Sequence, residues 1–531
     1  MAENTYDYII VGGGASGSIV AARLAQESDV TVLLLESGDQ AENNPDTLTA
    51  DGFKYCFSND KVMWDRMSAS QAKCAGRTMY TGTGTGMGGS GSVNGMVYTR
   101  GDKKDYDQWP EGWQWPDIDP AFKQLETRLE VRHREGTVFT EKALDAASEV
   151  GMQRKNGLND GELCGFMGYN DMNFKGDTRR SSYVAFLKDQ IPVNLTVVTQ
   201  ASVNKILFNN EKHATGVRYT QGKKSIIAQA TTEIILCAGA LETPKLLMLS
   251  GVGPKAHLSE MNIPVVEDAV GIGENLHDHP NVCMFLKGRK PIDFGYPQVY
   301  GFDRMNPELN LPEGQADTCF ALLSAPITVQ QSMYRMVPAS ILPGQLFYSK
   351  ILRRLLRIAI DTVFAIPKVK KTVANVYGIV VILGKPTSKG NLRLASNNPK
   401  DQAIINPAYY ETPEDMRTML NGVITAKKMA QAAGLKEWGS QLMIPGTKSN
   451  KEATLQRWIE SAAMTTFHFC GTCTMGKQQD APVDTDLTVK GVTGLRVADA
   501  SVIPNIPVSA LNAPSMMIGY RAADFILAEQ S

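Results

Sequence analysis

An α/β fold with more than one domain is predicted by three features of this sequence. The chain has 531 residues, more than one hydrophobic core usually organises. Within its first 40 residues, an apolar strand pattern, a glycine turn, a helical pattern and a second apolar strand follow one another. Further along, short strand patterns separated by turn residues indicate an antiparallel sheet.

The amino-terminal elements form a predicted βαβ unit. The strand Tyr8–Val11 leads into the glycine turn at residues 12–17. A helical pattern follows over Ser18–Ala25, and a second buried strand over Val30–Leu35 ends at Glu36. Two strands joined through a helix pair in parallel, so a doubly wound sheet is expected here.

The glycine turn reads G-x-G-x-x-G, the pattern of a dinucleotide site. Gly12 permits a tight turn, Gly14 lets a diphosphate approach the backbone, and Gly17 lets the helix pack on the strand. The helix amino terminus then offers N–H groups and a positive dipole end to the anion. Glu36 is placed to accept hydrogen bonds from the ribose hydroxyls. This site alone does not separate FAD from NAD.

The later elements are predicted from shorter patterns. An antiparallel meander is expected from four runs, at residues 195–199, 203–208, 216–220 and 224–230. A separate apolar strand follows over Glu233–Ala238, and residues 290–465 are expected to form a second domain. The chain closes with a strand over Leu495–Ala498 and a helix over Ser515–Leu527.

Composition excludes several classes of function. The net charge of −1 gives no nucleic-acid footprint. The eight cysteines imply no disulfide framework, and the one C-x-x-C pair, Cys470 and Cys473, has no second pair at zinc spacing, so no metal is expected. With no leader pattern and no apolar run of about 20 residues, a cytoplasmic protein is expected.

Five further blocks resemble the signatures of the glucose–methanol–choline (GMC) oxidoreductase family. They occur in the family's order and span nearly the whole chain. The blocks are Gly88–Met96 with Tyr98–Gly101, Gly239–Leu247 with Ser250–Gly253, Gly273–Pro280, His468–Gly476, and Asp499–Pro514. One departure is Gly91, which breaks the common Ser-Ser pair of the first signature.

The resemblance implies a Rossmann-like FAD-binding domain with a discontinuous α+β substrate-binding domain built on an antiparallel sheet. The FAD-binding domain would comprise residues 1–155, 195–290 and 466–531. The substrate-binding domain would comprise residues 156–194 and 291–465. Some relatives attach FAD covalently through a histidine just before Gly88. Residues 81–87 here read TGTGTGM, so non-covalent FAD is implied.

The resemblance also carries over cofactor positions, one residue at a time. The ADP half of FAD would contact Gly12, Gly14, Ser16, Gly17 and Glu36, and other parts of the FAD surface would contact Trp64, Gly88, Gly89, Asn94 and Val203. The diphosphate–ribityl region would contact Asp499 and Ala500. The pyrimidine edge of the flavin would contact Asn512 and Ala513.

His468 is the candidate catalytic base. Alcohol oxidation removes a hydroxyl proton and a carbon-bound hydride, so a base must reach the hydroxyl while the carbon faces flavin N5. Among six histidines, His468 alone lies in the family's active-site block, whereas His277 and His279 lie in a block that is structural in relatives. Asn512 matches the family's His-or-Asn partner that holds the substrate oxygen, and it can also cap the last helix.

Residues 350–371 form a predicted basic amphipathic helix. Lys350, Arg353, Arg354 and Arg357 fall three or four apart on one face, and apolar residues occupy the remainder. The favoured interpretation is a helix packed on the substrate domain through its apolar side, with the basic face in solvent. The alternative is a helix that lies on an anionic membrane surface.

The sequence therefore predicts an FAD-dependent oxidoreductase that converts an alcohol to its aldehyde and passes electrons to oxygen or another acceptor. Methionine-rich segments and the apolar helix favour lipophilic primary alcohols. Two alternatives stay open: a same-fold flavoenzyme with lyase or decarboxylase chemistry, and a non-catalytic FAD-binding protein.

Overall fold

The first of two large sheets contains the predicted βαβ unit. The computed structural model describes residues 4–342, 344–446 and 449–530. In this sheet, Thr5–Val11 pairs in parallel with Val32–Leu35 on one side and with Lys224–Leu236 on the other. Its seven strands are Thr5–Val11, Val32–Leu35, Leu195–Val198, Ala201–Phe208, Ala214–Gln221, Lys224–Leu236 and Leu495–Val497.

The parallel parts of these strands end in continuous apolar runs, such as Tyr8–Val11, Val32–Leu35 and Ile234–Leu236, because both faces of the sheet are covered there. Ile9, Ile10 and Leu34 are fully buried, as expected for parallel strands between helix layers. The helices Gly17–Glu27 and Asn512–Gln530 pack against each other beside the sheet, and Arg23 donates to the Tyr520 carbonyl across their contact.

Two strand predictions in this region are wrong. Leu195–Val198 is not part of an antiparallel meander, because it pairs in parallel with Val32–Leu35 at the sheet edge. The runs predicted at 224–230 and 233–238 are one continuous strand, Lys224–Leu236. Its first half pairs with Ala214–Gln221 and its second half with Thr5–Val11, so one strand joins the antiparallel and parallel parts.

The second large sheet has eight strands and is antiparallel except for one parallel pair at its end. Its strands, in spatial order, are Gln441–Ile444, Pro280–Lys287, Val376–Leu383, Thr318–Ser324, Val299–Asp303, Phe166–Tyr169 and Gln153–Lys155, with Met464–Thr465 beside Pro280–Lys287. The α/β class with a Rossmann-like unit and a second antiparallel sheet is confirmed.

The second sheet has its own hydrophobic core, formed with the helices Val138–Glu149 and Pro413–Gln431. The strand Pro280–Lys287 belongs to this sheet although it precedes the predicted boundary at residue 290. The helix Val138–Glu149 also contributes to this core, although it precedes residue 156, where the substrate-binding domain was predicted to begin. The domain boundaries as a whole remain a prediction.

The remaining elements are short strands, helices and single 3₁₀ turns. The short strands are Met63–Trp64, Thr83–Gly84, Val97–Tyr98, Arg132–His133, Asp171–Met172, Phe174–Lys175, Thr178–Arg179, Val252–Gly253, Glu267–Asp268, Asn391–Arg393 and Ile404–Asn406. The other helices are Phe53–Cys56, Lys103–Tyr106, Trp115–Leu129, Ser182–Phe186, Gly239–Leu249, Lys255–Glu260, Ala325–Ile341, Lys350–Ala365, Pro367–Val373, Ala433–Trp438 and Glu452–Ala462. The 3₁₀ turns are Ala41–Asn43, Pro45–Thr47, Ala72–Cys74, Gly89–Ser92, Gly344–Tyr348 and Ala500–Val502.

The helices between residues 325 and 373 are here called the cap, and they include the basic helix. Its orientation differs from the predicted one. Arg353 is buried and bonds to Asp60 at 2.7 Å and to Asp65 at 2.5 Å. Arg357 bonds to Asp60 at 2.9 Å, and Arg335 bonds to both aspartates. Arg353 and Arg357 therefore point inward, and for these two residues the predicted solvated face is wrong, whereas Lys350 and Arg354 are exposed. Across the described ranges, no helix is long and apolar enough to cross a bilayer.

Candidate active site

The glycine turn at the end of the first strand leaves an open surface beside Gly14. Gly12 has φ +105°, which favours glycine, and a Cβ on Gly17 would lie 1.9 Å from the Gly12 carbonyl oxygen. A Cβ on Gly14, in contrast, would meet only the Gly89 Cα, at 3.9 Å. The structure thus packs the helix tightly on the strand and keeps the backbone at Gly14 accessible, as a diphosphate site needs.

The first family block docks directly on this turn. Gly88 has φ +88° and donates its N–H to the Gly13 carbonyl at 2.7 Å. A Cβ on Gly89 would lie 2.9 Å from the Gly14 Cα, so two glycines are needed where the loops meet. The structure therefore brings together Gly12, Gly14, Gly17, Gly88 and Gly89.

Glu36 lies at the rim of the same turn and is almost fully buried. Its carboxylate accepts the backbone N–H groups of Gly13 at 2.8 Å, Gly38 at 2.7 Å and Gly86 at 3.0 Å. Burial raises the pKa of Glu36, and the three N–H donors oppose that rise by favouring the charged form. The carboxylate is thus fixed between the two glycine loops.

Asp499 and Ala500 follow the last strand of the first sheet. The buried Asp499 carboxylate accepts from the Thr243 hydroxyl at 2.6 Å and from the N–H groups of Gly239 and Ser501, each at 2.8 Å. Burial raises its pKa. Asp499 therefore joins the second family block to the carboxyl-terminal block, while Ala500 keeps partial exposure.

Three predicted cofactor residues lie further from the turn. Trp64 pairs with Thr83 on the short strand that precedes the Gly88 loop, and its side chain is exposed. Asn94 closes that loop, where its Oδ1 accepts from Arg179 Nη1 at 2.8 Å. Val203 packs on the first core from the strand Ala201–Phe208. In the part of the chain that the structure describes, none of the three forms a hydrogen bond with the glycine turn.

The last helix reaches the same region with Asn512 at its first position. A Cβ on Gly91 would lie 3.1 Å from Asn512 Oδ1, which gives a physical reason for glycine at this departure from the family signature. The Asn512 Nδ2 is buried and has no hydrogen-bond partner within the described ranges. Ala513, the next residue, is buried, and Ser16 lies so close to the helix that a Cβ on Gly519 would meet its Cα at 2.7 Å.

His468 is held by a segment that pairs with the third family block. The backbone N–H of His468 donates to Asp278 Oδ1 at 2.7 Å, and Asp278 also accepts from the Thr465 and Tyr409 hydroxyls. Phe467, just before the histidine, has φ +63°. Such left-handed geometry at a non-glycine residue costs energy and is common at functional sites. Contacts of the His468 backbone therefore fix the position of this segment.

The His468 imidazole makes one hydrogen bond, Nδ1 to His279 Nδ1 at 2.9 Å, with the two rings perpendicular. No hydrogen bond to its Nε2 is found in the part of the chain that the structure describes. Burial lowers the pKa of His468 to about 4, and burial with the nearby His468 ring lowers that of His279. A neutral imidazole with one engaged and one free nitrogen can accept a proton.

The donor set fits FAD. An anion cradle beside Gly14, a fixed carboxylate at Glu36, and unpaired buried polar atoms on Thr85 and Asn512 are the features expected where a large polar cofactor lies. Cys470 and Cys473 are buried, and burial raises the pKa of both thiols. Among the described residues, no group of three or more metal-ligating side chains is found.

Sequence reasoning missed the contact between His279 and His468. The two residues are 189 positions apart and meet because His277 and Cys470 exchange backbone hydrogen bonds of 3.0 Å. The signal available in the sequence was the presence of two histidines in the third block, which was assigned a structural role only.

Comparison with known proteins identifies one family over most of the chain. Two family models, both described as GMC oxidoreductase, match residues 6–281 and 386–519. The chain is 30% identical to an oxygen-dependent choline dehydrogenase of Burkholderia lata, over 99% of this chain and 94% of that protein. It is 32% identical to an alcohol dehydrogenase (acceptor) of Pseudomonas putida, over 98% and 96% of the two chains.

The solved structures agree with these matches. A formate oxidase variant of Aspergillus oryzae, studied for its effect on FAD modification, superimposes with a TM-score of 0.84. The two share 25% sequence identity, and the match covers 100% of this chain and 99% of the other.

Proposed function

Because this chain belongs to the GMC oxidoreductase family, we propose that it oxidises a primary alcohol to the aldehyde in an FAD-dependent reaction in which His468 is the base. One observation carries the assignment of His468. Its imidazole is desolvated, bonded through Nδ1 to His279 at 2.9 Å, and free at Nε2. A base in this state takes the hydroxyl proton at a defined atom.

The surrounding residues keep the Nε2 atom in place. Asp278 holds the backbone of His468, and His279 fixes the plane of the ring. If His279 donates its Nδ1 proton, His468 carries its own proton on Nε2; if His468 donates, Nε2 is the acceptor. Proton acceptance from the alcohol therefore requires the second tautomer.

Asn512 would hold the alcohol oxygen. Its Nδ2 is a buried donor with no partner in the described ranges, and leaving such a group unpaired costs about 1–3 kcal/mol. A substrate oxygen would remove that cost. The donor would also favour negative charge on this oxygen as His468 withdraws the proton.

FAD would lie along the glycine cradle, with its ADP half held by Gly14, Ser16 and Glu36 and its other half near Gly89 and Asn512. When bound, it supplies a two-electron acceptor for the hydride of the alcohol carbon. We propose non-covalent attachment, because residues 81–87 contain no histidine.

The substrate class follows from the apolar side chains beside His468. Phe467 contacts the rings of Tyr80 and Phe57, and Tyr80 also contacts Phe347 of the cap. These side chains belong to one hydrophobic cluster that includes Met63. A substrate that approaches through this cluster would be a lipophilic primary alcohol.

An anaerobic panel of alcohols tests the proposal. Primary aliphatic and aryl alcohols should bleach the bound flavin and yield one aldehyde per flavin, whereas lyase or decarboxylase chemistry would give product without net bleaching. A protein that only stores FAD would do neither. The names of the two relatives include both oxygen and an unspecified acceptor, so an oxygen-consumption assay with the best alcohol assigns the acceptor.

We also propose a cytoplasmic location with peripheral membrane contact through residues 350–371. All eight cysteines are free, which suits a reducing compartment. The membrane contact would depend on the outward face of the cap.

A further inference from the structure

Exposed apolar side chains concentrate on one segment of this chain, residues 341–366. Of eighteen large hydrophobic residues exposed in the described ranges, seven lie in this segment: Ile341, Leu346, Ile351, Leu355, Ile358, Val363 and Ile366. Ile351 is 75% exposed, Leu355 58% and Ile358 54%. Their spacing of four and three residues places them in one row on the helix Lys350–Ala365.

This row faces outward because the opposite side of the helix is committed to ion pairs. Arg353 and Arg357 point inward to Asp60 and Asp65, and Ile360 is buried on the same side. The usual order of an amphipathic surface helix, with apolar residues inside and charges outside, is thus inverted. A concentrated apolar surface of this kind marks an interaction site.

The exposed charges around the row are almost all positive. Five exposed cations lie in residues 350–371, against Asp361 as the one exposed acid, which leaves a local charge of +4 in a chain of net charge −1. None of the five forms an ion pair within the part of the chain that the structure describes. They are Lys350, Arg354, Lys368, Lys370 and Lys371.

We propose that the described residues between 341 and 371 dock on the surface of an anionic lipid bilayer. The row of Ile351, Leu355 and Ile358 enters the boundary between headgroups and acyl chains, and the flanking cations contact lipid phosphates. A second copy of this chain fits less well, because a twofold contact would bring the same five cations against each other. Nucleic acid would leave the apolar row in water.

Docking would place the cap between the bilayer and His468. The inner side of the cap contributes Phe347 to the cluster that contacts Tyr80 and Phe467. An alcohol dissolved in the lipid would therefore meet the apolar side of the active site first. This last step rests on the proposed function, whereas docking itself does not.

Vesicle sedimentation of the FAD-loaded protein tests docking without any turnover. The wild type should co-sediment with vesicles of phosphatidylcholine and phosphatidylglycerol, and less with phosphatidylcholine alone. Binding should fall as salt rises, because exposed charges are screened over about 10 Å at 0.1 M. A variant with Ile351→Asn, Leu355→Asn and Ile358→Asn should lose binding. All three side chains are exposed, so its flavin absorbance and melting temperature should match the wild type.

Two further variants control for surface chemistry. Replacing Lys368, Lys370 and Lys371 by Gln should weaken the partition coefficient by roughly fivefold per cation. The matched control replaces Ile191, Val193 and Val270 by Asn; these residues are 48%, 106% and 54% exposed but lie outside the cap, and binding should not change.

Three outcomes would overturn the proposal. One is that the wild type ignores anionic vesicles at low salt. Another is that the cap variant binds as well as the control variant. The third is a wild-type dimer that the cap variant converts to a monomer while neither binds vesicles, which would identify a second copy as the occupant. Docking that is retained in a protein without alcohol activity would refute the proposed function alone.

Discussion

The environment of His468 determines which protonation state it holds. Desolvation of its imidazole, which lies beside the buried His279, favours the neutral form and lowers the pKa of His468 to about 4. Asp278, which anchors the backbone of the same residue, has a pKa raised by burial to about 6. At neutral pH the site therefore contains an uncharged imidazole next to a fixed carboxylate.

The first prediction concerns pH. Because the base must be neutral to accept a proton, kcat/KM for alcohol should be independent of the His468 titration above about pH 6 and should fall tenfold per pH unit below about pH 4. Rapid pH-jump measurements of flavin reduction avoid prolonged acid exposure. An acidic limb centred near 6.5, the ordinary histidine value, would show that the imidazole is not desolvated.

The second prediction treats His279 as a positioning residue for His468. His279→Val removes the 2.9 Å hydrogen bond and leaves His468 Nδ1 buried without a partner, which costs about 1–3 kcal/mol. We expect kcat to fall roughly tenfold to a hundredfold with little change in KM.

His279→Asn is the matched variant, because an amide can occupy the position of the ring Nδ1. It should restore most of kcat. If the Asn and Val variants lose the same activity at unchanged stability, the hydrogen bond has no positioning role.

At the scale of elements, the cap is attached to the FAD-binding part through buried charges. Arg335, Arg353 and Arg357 from two cap helices share Asp60 and Asp65, and Asp65 also accepts from the Tyr80 hydroxyl at 2.9 Å. These aspartates flank the short strand that carries Trp64. These bonds tie the cap to the segment that carries Trp64, a predicted cofactor residue.

The third prediction follows from this ion-pair cluster. Arg353→Gln should destabilise the cap by about 3 kcal/mol, the lower end for one partner of a buried pair, because Asp60 is half-exposed. Its neighbour Arg354 is exposed, and Arg354→Gln should change stability by less than about 0.5 kcal/mol. Hydrogen exchange of residues 325–365 measures both. Equal effects of the two variants would contradict the inward orientation of the helix.

Sequence patterns predicted some elements well and others incompletely, for physical reasons. The βαβ unit was predictable because continuous apolar runs such as Val32–Leu35 and a glycine turn are local signals. The pairing predicted for the run at 195–198 was wrong, because the sequence of a short strand does not determine whether its partner is parallel or antiparallel. The face of the cap helix that is buried depends on Asp60 and Asp65, almost 300 residues earlier.

The residues of the candidate site were also predictable only in part. The glycines, Glu36 and Asp499 were predictable because a turn or a strand end requires them there. The partner of His468 was not, because it depends on how two distant loops exchange backbone hydrogen bonds. The structure unites the glycine loops with Asn512, and the cofactor-binding and catalytic roles of all these residues, together with those of Trp64 and Val203, remain predictions.

At the scale of the whole molecule, FAD would hold together segments from both ends of the chain. The Gly12 turn, the Gly88 loop and the helix from Asn512 meet at one cradle. The fourth prediction is that acid or heat releases intact FAD into the supernatant. The denatured polypeptide should be colourless, and FAD added to folded apoprotein should raise its melting temperature. Flavin that remains with the denatured polypeptide would refute non-covalent attachment.

The most direct test of the whole account is anaerobic stopped-flow reduction of the bound flavin by a primary alcohol, in the wild type and in His468→Ala. We predict that the wild type is reduced as aldehyde forms, and that His468→Ala keeps its FAD but is reduced about 10²- to 10⁴-fold more slowly. Asn512→Ala should lose less, because the base remains. Near-normal reduction of the His468→Ala flavin by the same alcohol would contradict the account.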